Sequence, residues 1–238
     1  MKLLRVTAAI AAVGFAVMAY VYVTLPDVRV LATRNPTSTA WMEMRAREAA
    51  AAGKSSRRVQ RWVPYTRISQ NLKRAVLAAE DDAFFEHEGV DLEQLRTTIQ
   101  QGLQKGRAPR GASTITQQLA KNLYLSPSRD PLRKLRELMI ARRLETALPK
   151  ARIFEIYLNV IEWGNGIWGA EAAARTYFGT SAAALSREQA ALLAGSIINP
   201  RVMNPSKLTT RLNRRQQIIL RRMGESAAPV VHATEHAE

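Results

Sequence analysis

Six carboxylates fall within the twelve residues Glu80-Asp81-Asp82-Ala83-Phe84-Phe85-Glu86-His87-Glu88-Gly89-Val90-Asp91, in a chain that is otherwise strongly basic. Leu72, Ala75, Val76 and Ala79 form a helical stripe running into this segment, so the spacing predicts that Glu80 lies at a helix C-terminus, next to Phe84 and Phe85. The helix dipole disfavours an anion at that end and apolar neighbours desolvate it. Both raise a carboxyl pKa toward neutrality, as a general base requires. The plain alternative is a solvated acidic turn.

Two further segments carry polar groups in patterns that suit an anion or a sugar. Arg110-Gly111-Ala112-Ser113-Thr114-Ile115-Thr116-Gln117-Gln118-Leu119-Ala120-Lys121-Asn122 reads as a glycine-containing loop entering a helix, with exposed amides at its N-terminus and Lys121 one or two turns on. A well-capped surface helix is the alternative. Arg129-Asp130-Pro131-Leu132-Arg133-Lys134-Leu135-Arg136-Glu137 sits in a window, 101 to 152, with twelve bases and three acids. Glu137 in that surrounding is either an ordinary i, i+3 and i, i+4 partner of Lys134 and Arg133 or the organiser of a pyrophosphate site or a divalent ion. A nucleic-acid groove is disfavoured, because the window's one aromatic is Tyr124.

These segments must be positioned by a chain of 238 residues with 35 Lys plus Arg, 20 Asp plus Glu, a formal charge of +15 and no cysteine. That length provides one domain and an appendage. The absence of cysteine excludes a disulfide scaffold or thiolate metal site, and the charge calls for an anionic partner or surface. Residues 1–5 are a short tail. Val6 to Leu25 is a run of 20 uncharged, mostly apolar residues, long enough as a helix to cover about 30 Å, a bilayer's hydrocarbon core. It reads as a transmembrane anchor, with Tyr20 and Tyr22 at an interfacial belt; the competing reading is a signal peptide cleaved near Val17-Met18-Ala19. Residues 26–65 read as a stalk carrying one helix around Ala46 to Ala52. From residue 66 to 223 the pattern is mainly helical. Ile153, Ile156, Tyr157, Val160 and Ile161 mark one buried face, and Asp91/Gln94, Thr114/Gln117 and Ser186/Gln189 look like capping boxes. Asp130 followed by Pro131 marks a helix start. The tail, 224–238, reads as disordered, and its His232 and His236 lack a third metal ligand.

Taken together, the motifs resemble the family 51 glycosyltransferases, which polymerise peptidoglycan from lipid II. EDDAFFEHEGVD, RGASTITQQLAKN, RKLRELMIARRLE, EIYLNVIEWGNGIWGAEAAARTYFG and LLAGSIINPRVMNP resemble the five family motifs, in family order, from Glu80 to Pro205. Ala112 stands where a second glycine is common. The chain has no Ser-x-x-Lys and no Lys-Thr-Gly, so it is similar to members that lack a transpeptidase half.

The resemblance implies a lysozyme-like helical lobe with a smaller membrane-contacting jaw at about 92–128. It implies that Glu80 is the general base and that Lys121, Arg129 and Arg136 contact pyrophosphate, with Arg133 and Lys134 as further basic candidates. Glu137 falls on the second essential glutamate. Gln117, Gln118, Asn122, Ser113 and Thr114 would line the donor site, while Asp81 and His87 would brace the turn that aims Glu80. No organic cofactor is implied; the inorganic one left open is Mg2+ or Mn2+ at the pyrophosphate near Glu137. The expected partners are lipid II, the growing glycan, the cytoplasmic membrane and proteins of cell division or cell-wall synthesis, but no nucleic acid. The catalytic domain would lie on the outer face of a bacterial inner membrane, with the segment Leu95 to Leu103 dipping into it. An anchored lysozyme-like glycan hydrolase and a non-enzymatic anionic-lipid-binding scaffold are the competing readings.

Overall fold

The computed structural model describes residues 2–104, 113–126 and 131–225. The loop 105–112, Arg129, Asp130 and the tail from 226, with His232 and His236, lie outside the described residues. The architecture is mainly helical, with ten α-helices and a small three-stranded sheet among the described residues.

Helix α1 (Lys2–Val23) is apolar around its whole circumference. Its 20 residues from Leu4 to Val23 have a mean hydropathy of 2.1 and almost no buried surface, so the helix is long and apolar enough to cross a membrane. Its last turn meets the rest of the protein, where Val21 is buried. The segment read as a stalk folds back onto the domain: Leu31 and Met42 are both 4% exposed, and α2 (Ala40–Ala51) packs against α5 (Ile115–Tyr124). The segment docks because large apolar groups along it, Leu31 and Met42 among them, would otherwise be wetted.

Two helical groups meet around the acidic segment. One consists of α3 (Gln70–Glu80), α9 (Arg187–Ser196) and α10 (Thr210–Glu225); the other packs α5 against α6 (Pro131–Ala147) and α7 (Lys150–Val160). The predicted α7 face is the core of the second group: Ile153, Ile156, Tyr157 and Val160 are fully buried and Ile161 nearly so. Ser186 and Gln189 form a complete capping box at α9. Thr114 caps α5 through its hydroxyl alone, since the Gln117 side chain is drawn away to the Gly89 carbonyl. Gln94 lies in α4 (Leu92–Gln104), but its side chain is outside the described set.

After α7 the chain forms β2 (Glu162–Gly164) and β3 (Ile167–Trp168), with β3 between β2 and β1 (Val59–Gln60). It then enters α8 (Ala170–Phe178) through Gly169, whose φ of 82° is in the left-handed region. A Cβ there would lie 2.7 Å from the Asn159 carbonyl oxygen. Asn159 cannot easily retreat, because its side chain holds both the N–H and the carbonyl of Val63, each at 2.9 Å. Gly169→Ala is expected to cost about 2–4 kcal/mol through combined strain and overpacking. Denaturant unfolding checks this, and an unchanged midpoint would show that the loop absorbs the methyl group.

Candidate active site

Glu80 is the last residue of α3, a helix started by the Ser69 hydroxyl, which accepts from the Leu72 N–H at 3.1 Å. The helix stops because Asp81 leaves helical geometry, at φ −170° and ψ 86°, and turns its carboxylate inward. Asp81 is 3% exposed. One of its oxygens accepts the Ile115 N–H at the start of α5 at 2.9 Å, and the other pairs with His87 Nε2 at 3.0 Å. Asp81 therefore ties the end of α3, the following turn and α5 into one unit. Phe84, fully buried, wedges the turn against Phe154 at 5.5 Å between ring centroids.

That frame aims Glu80 at one face of α5. Gln118, Lys121 and Asn122 recur at helical spacing, and all three are half-buried. Gln118 Nε2 donates to Glu80 Oε2 at 2.9 Å, while the Tyr157 hydroxyl donates to Gln118 Oε1 at 2.9 Å. Burial is the main influence on Glu80 and holds its carboxyl above the ordinary carboxylate range. The Gln118 hydrogen bond and the charges of Arg215 and Lys121 oppose that rise, and Asp81 adds to it. Burial, with the negative charge of Glu80 and Asp81, also pushes the Tyr157 hydroxyl well above its usual value, so Tyr157 remains a donor at any physiological pH.

Glu137 occupies the core-facing stripe of α6 that continues through Ile140, Ala141 and Leu144, and it is 4% exposed. A buried carboxylate needs partners. Lys134 donates to one of its oxygens and Arg133 to the other, the latter at 3.3 Å. Lys121 feels both acids: burial depresses its ammonium pKa, Glu137 and Glu80 raise it, and Arg133 and Lys134 lower it further. Among the described residues, Arg133 Nε and Arg136 Nε are both buried without a hydrogen-bond partner. Arg133 and Lys134, gathered on one carboxylate, have the charge and donor count that suit an incoming polyanion.

A buried carboxyl of raised pKa near a cluster of cations has the chemistry that transfer from an anionic leaving group calls for. The comparisons with known proteins agree, since the transglycosylase family model matches residues 46–224. The chain belongs to this family. Among its relatives, a biosynthetic peptidoglycan transglycosylase of Nitrosospira multiformis is 48% identical over 195 residues, spanning 82% of this chain and 85% of that protein. Proteins of the same description from Herminiimonas arsenicoxydans and Chromobacterium violaceum are 49% identical over 195 residues and 52% identical over 169. The transglycosylase domain is lysozyme-like, and the chain is a glycosyltransferase.

The candidate residues are not all brought together. Glu80, Gln118, Lys121, Asn122, Arg133, Lys134 and Glu137 are placed on adjoining faces of α3, α5 and α6. Thr114 and Gln117, expected to line the donor site, are 1% and 2% exposed. Their polar groups are committed inside: both donate to the Gly89 carbonyl, and Gln117 Oε1 accepts from Lys134. They hold the Gly89 turn and Lys134 in place. Ser113 is exposed, and its carbonyl accepts weakly from Gln118 at 3.4 Å. Arg136 lies with its guanidinium 5.8 Å from the Tyr20 ring of α1. Arg129 is outside the described residues.

Three neighbours of the site were not legible as such. Tyr157 sits in an apolar stripe, where the one available signal was that a buried hydroxyl needs a partner. Trp41 of α2 lies outside the family match, with its ring 5.5 Å from Lys121 Nζ. Arg215 comes from α10, far along the chain, and no local pattern announces its effect on Glu80.

The Tyr157 contact has a testable effect. Its hydroxyl fixes the Gln118 amide with nitrogen toward Glu80, and losing that bond frees the amide to turn. Tyr157→Phe is expected to slow turnover at neutral pH about three- to tenfold, the value of one hydrogen bond. The acid limb of the pH–rate profile is expected to move upward, because the Gln118 bond holds the Glu80 pKa down. An unmoved limb would show that Tyr157 serves packing alone.

Proposed function

We propose that the chain polymerises lipid II into β-1,4-linked peptidoglycan strands, with Glu80 as general base. The observation that supports this reading is that Lys121 on α5 feels the charges of both Glu80 and Glu137, the latter held by Lys134 and Arg133, so a carboxyl suited to accept a proton and a cationic cluster suited to a pyrophosphate act on the same side chain. Glu80 takes the proton of the acceptor's GlcNAc 4-hydroxyl as that oxygen attacks C1 of the donor's MurNAc. The bond from C1 to the α-linked undecaprenyl pyrophosphate breaks on the opposite side, so the configuration inverts to β. Lys121, Arg133, Lys134 and Arg136 receive the developing negative charge. Glu137 keeps these like charges together before the substrate arrives.

A divalent ion does not fit beside Glu137. Its two oxygens already accept from Lys134 and Arg133, and three cations surround a single carboxylate, a poor donor set for Mg2+ or Mn2+. No step is routed through a metal. No organic cofactor enters, because the donor carries its own leaving group.

The reading also supplies a topology. Helix α1 anchors the chain in the inner membrane, and the catalytic domain works on its outer face, where both lipid-linked substrates are presented. Exposed Leu92 at the start of α4 and Leu132 near the start of α6 are suited to that surface.

The test is incubation of the detergent-solubilised chain with labelled lipid II and gel separation of the products. Lysozyme-sensitive ladders are the expected result. Cleavage of preformed glycan without polymerisation would favour a hydrolase, and neither activity from a folded sample would leave only a scaffold.

A further inference from the structure

Where α1 ends, a cavity of about 410 Å3 opens between its last turn, the segment that follows and α6. Its walls are of two kinds. Tyr22, Leu25 and Val28 are apolar, while Arg29, Arg142 and Arg143 bring three positive charges against Asp27. Asp27 stays ionised, because the Arg29 side chain beside it lowers its pKa to about 2. The lining therefore carries a positive excess.

The three arginines are held differently. Arg143 makes no salt bridge among the described residues; it donates to the carbonyls of Tyr22, Leu25 and Pro26 and lies 4.6 Å from the Tyr22 ring centroid. It thereby closes the C-terminal end of α1 and fixes the cavity to that helix. Arg29 and Arg142 are largely exposed, at 82% and 63%; Arg29 forks onto both oxygens of exposed Asp27, and Arg142 pairs with exposed Glu88. Both pairs face solvent and are screened by salt, so a fully charged phosphate can compete with the carboxylates for the arginines.

We propose that this cavity binds the phosphodiester headgroup of an anionic membrane phospholipid, with Arg29, Arg142 and Arg143 around the phosphate and the acyl chains alongside α1. This rests on the reading of α1 as the membrane span, which places Tyr22 and the cavity at headgroup level. The site is separate from the pyrophosphate cradle: Arg142 follows Arg133 by nine residues on α6, roughly 13 Å along the helix. Its combination of apolar wall and exchangeable arginines matches a lipid ester at an interface. Occupation would lock the angle between anchor and catalytic domain, because Arg143, one of the three arginines, joins the end of α1 to α6.

The experiment is native mass spectrometry of the full chain in neutral detergent, titrated with dioleoylphosphatidylglycerol or dioleoylphosphatidylcholine. The anionic lipid is expected to bind with clear preference. The Arg29→Gln/Arg142→Gln double variant, which leaves Arg143 and the helix end intact, is expected to lose on the order of tenfold or more in affinity for it. Arg211→Gln, an exposed charge on α10, is the control and is expected to change nothing. Equal binding of the two lipids, or an equal loss in the control, would overturn the proposal. So would displacement of the lipid by millimolar glycerol phosphate, which would mark a free-phosphate site. Carbonate extraction of membranes carrying the chain reports separately on whether α1 is embedded.

Discussion

Glu80→Gln is expected to yield a folded, membrane-bound chain that makes essentially no glycan. The amide has the shape of the carboxylate and can still accept from Gln118, but it has no basic oxygen for the acceptor hydroxyl. A general base contributes typically 10² to 10⁴-fold, which corresponds to about 3–5 kcal/mol of transition-state stabilisation. Stability should move the other way. The Glu80 carboxyl has a raised pKa in the folded chain, so the folded state binds its proton more tightly than the unfolded state does. Its contribution to stability is therefore fullest below the ordinary carboxylate pKa and declines as pH rises toward the folded value. At neutral pH the ionised group is a net cost, which the glutamine removes, so the variant is expected to melt no lower than the parent. In acid, where the parent's carboxyl is protonated, the difference should vanish. Polymer of normal yield from the variant would remove Glu80 from its role, and a large drop in melting temperature would assign it a structural one.

Lys121→Ala is expected to lower kcat/KM for lipid II by about 10² to 10³-fold, the scale of losing one preorganised charge donor at a developing anion. The side chain is half-buried, and its ammonium loses its proton more readily than that of an exposed lysine because burial depresses its pKa. Activity that needs the charged form must therefore fall as pH rises, through an alkaline limb below the ordinary lysine range. Together with the acid limb from Glu80 this gives a bell-shaped profile. Lys121→Arg, charged at all accessible pH, provides the contrast: whatever activity it keeps should lack that alkaline limb. If alanine at this position leaves lipid II turnover intact, Lys121 does not contact the pyrophosphate, and the cluster at Glu137 would have to act without it.

Much of this site could be read from local pattern alone. The stripe Leu72, Ala75, Val76 ends at Glu80, and a helix that stops at an acid beside two phenylalanines already implies a carboxyl with a raised pKa. Gln118, Lys121 and Asn122 share a face because their spacing follows the helical repeat. Glu137 was legible as a lone acid among bases, at i, i+3 and i, i+4 spacing from Lys134 and Arg133; that it heads the buried stripe continuing through Ile140, Ala141 and Leu144 is a feature of the fold. These are consequences of short-range geometry, in which a residue's neighbours are those three or four positions away. The same periodicity was silent about which of the polar groups on α5 would meet substrate. Gln117 has the same amide as Gln118, yet it is buried against the Gly89 carbonyl together with Thr114, while Gln118 faces Glu80.

That choice depends on how α5 is rotated against the acidic turn and α6, and the rotation is set by packing across many tens of residues. Tyr157 reaches Gln118 from 39 positions away, and Arg45 reaches Glu162 from 117. Sequence by itself determined the family, the helical character, the acidic end of α3 and the identity of the charges, because each of these is carried by residue types at fixed local spacing. Only the tertiary structure decided that the supposed stalk docks through Trp41 onto the lysine of the site, that Asp81 braces α5, and that Arg143 clasps the end of α1. Contacts between distant segments follow from the summed burial of many side chains, and no short stretch of sequence contains that sum.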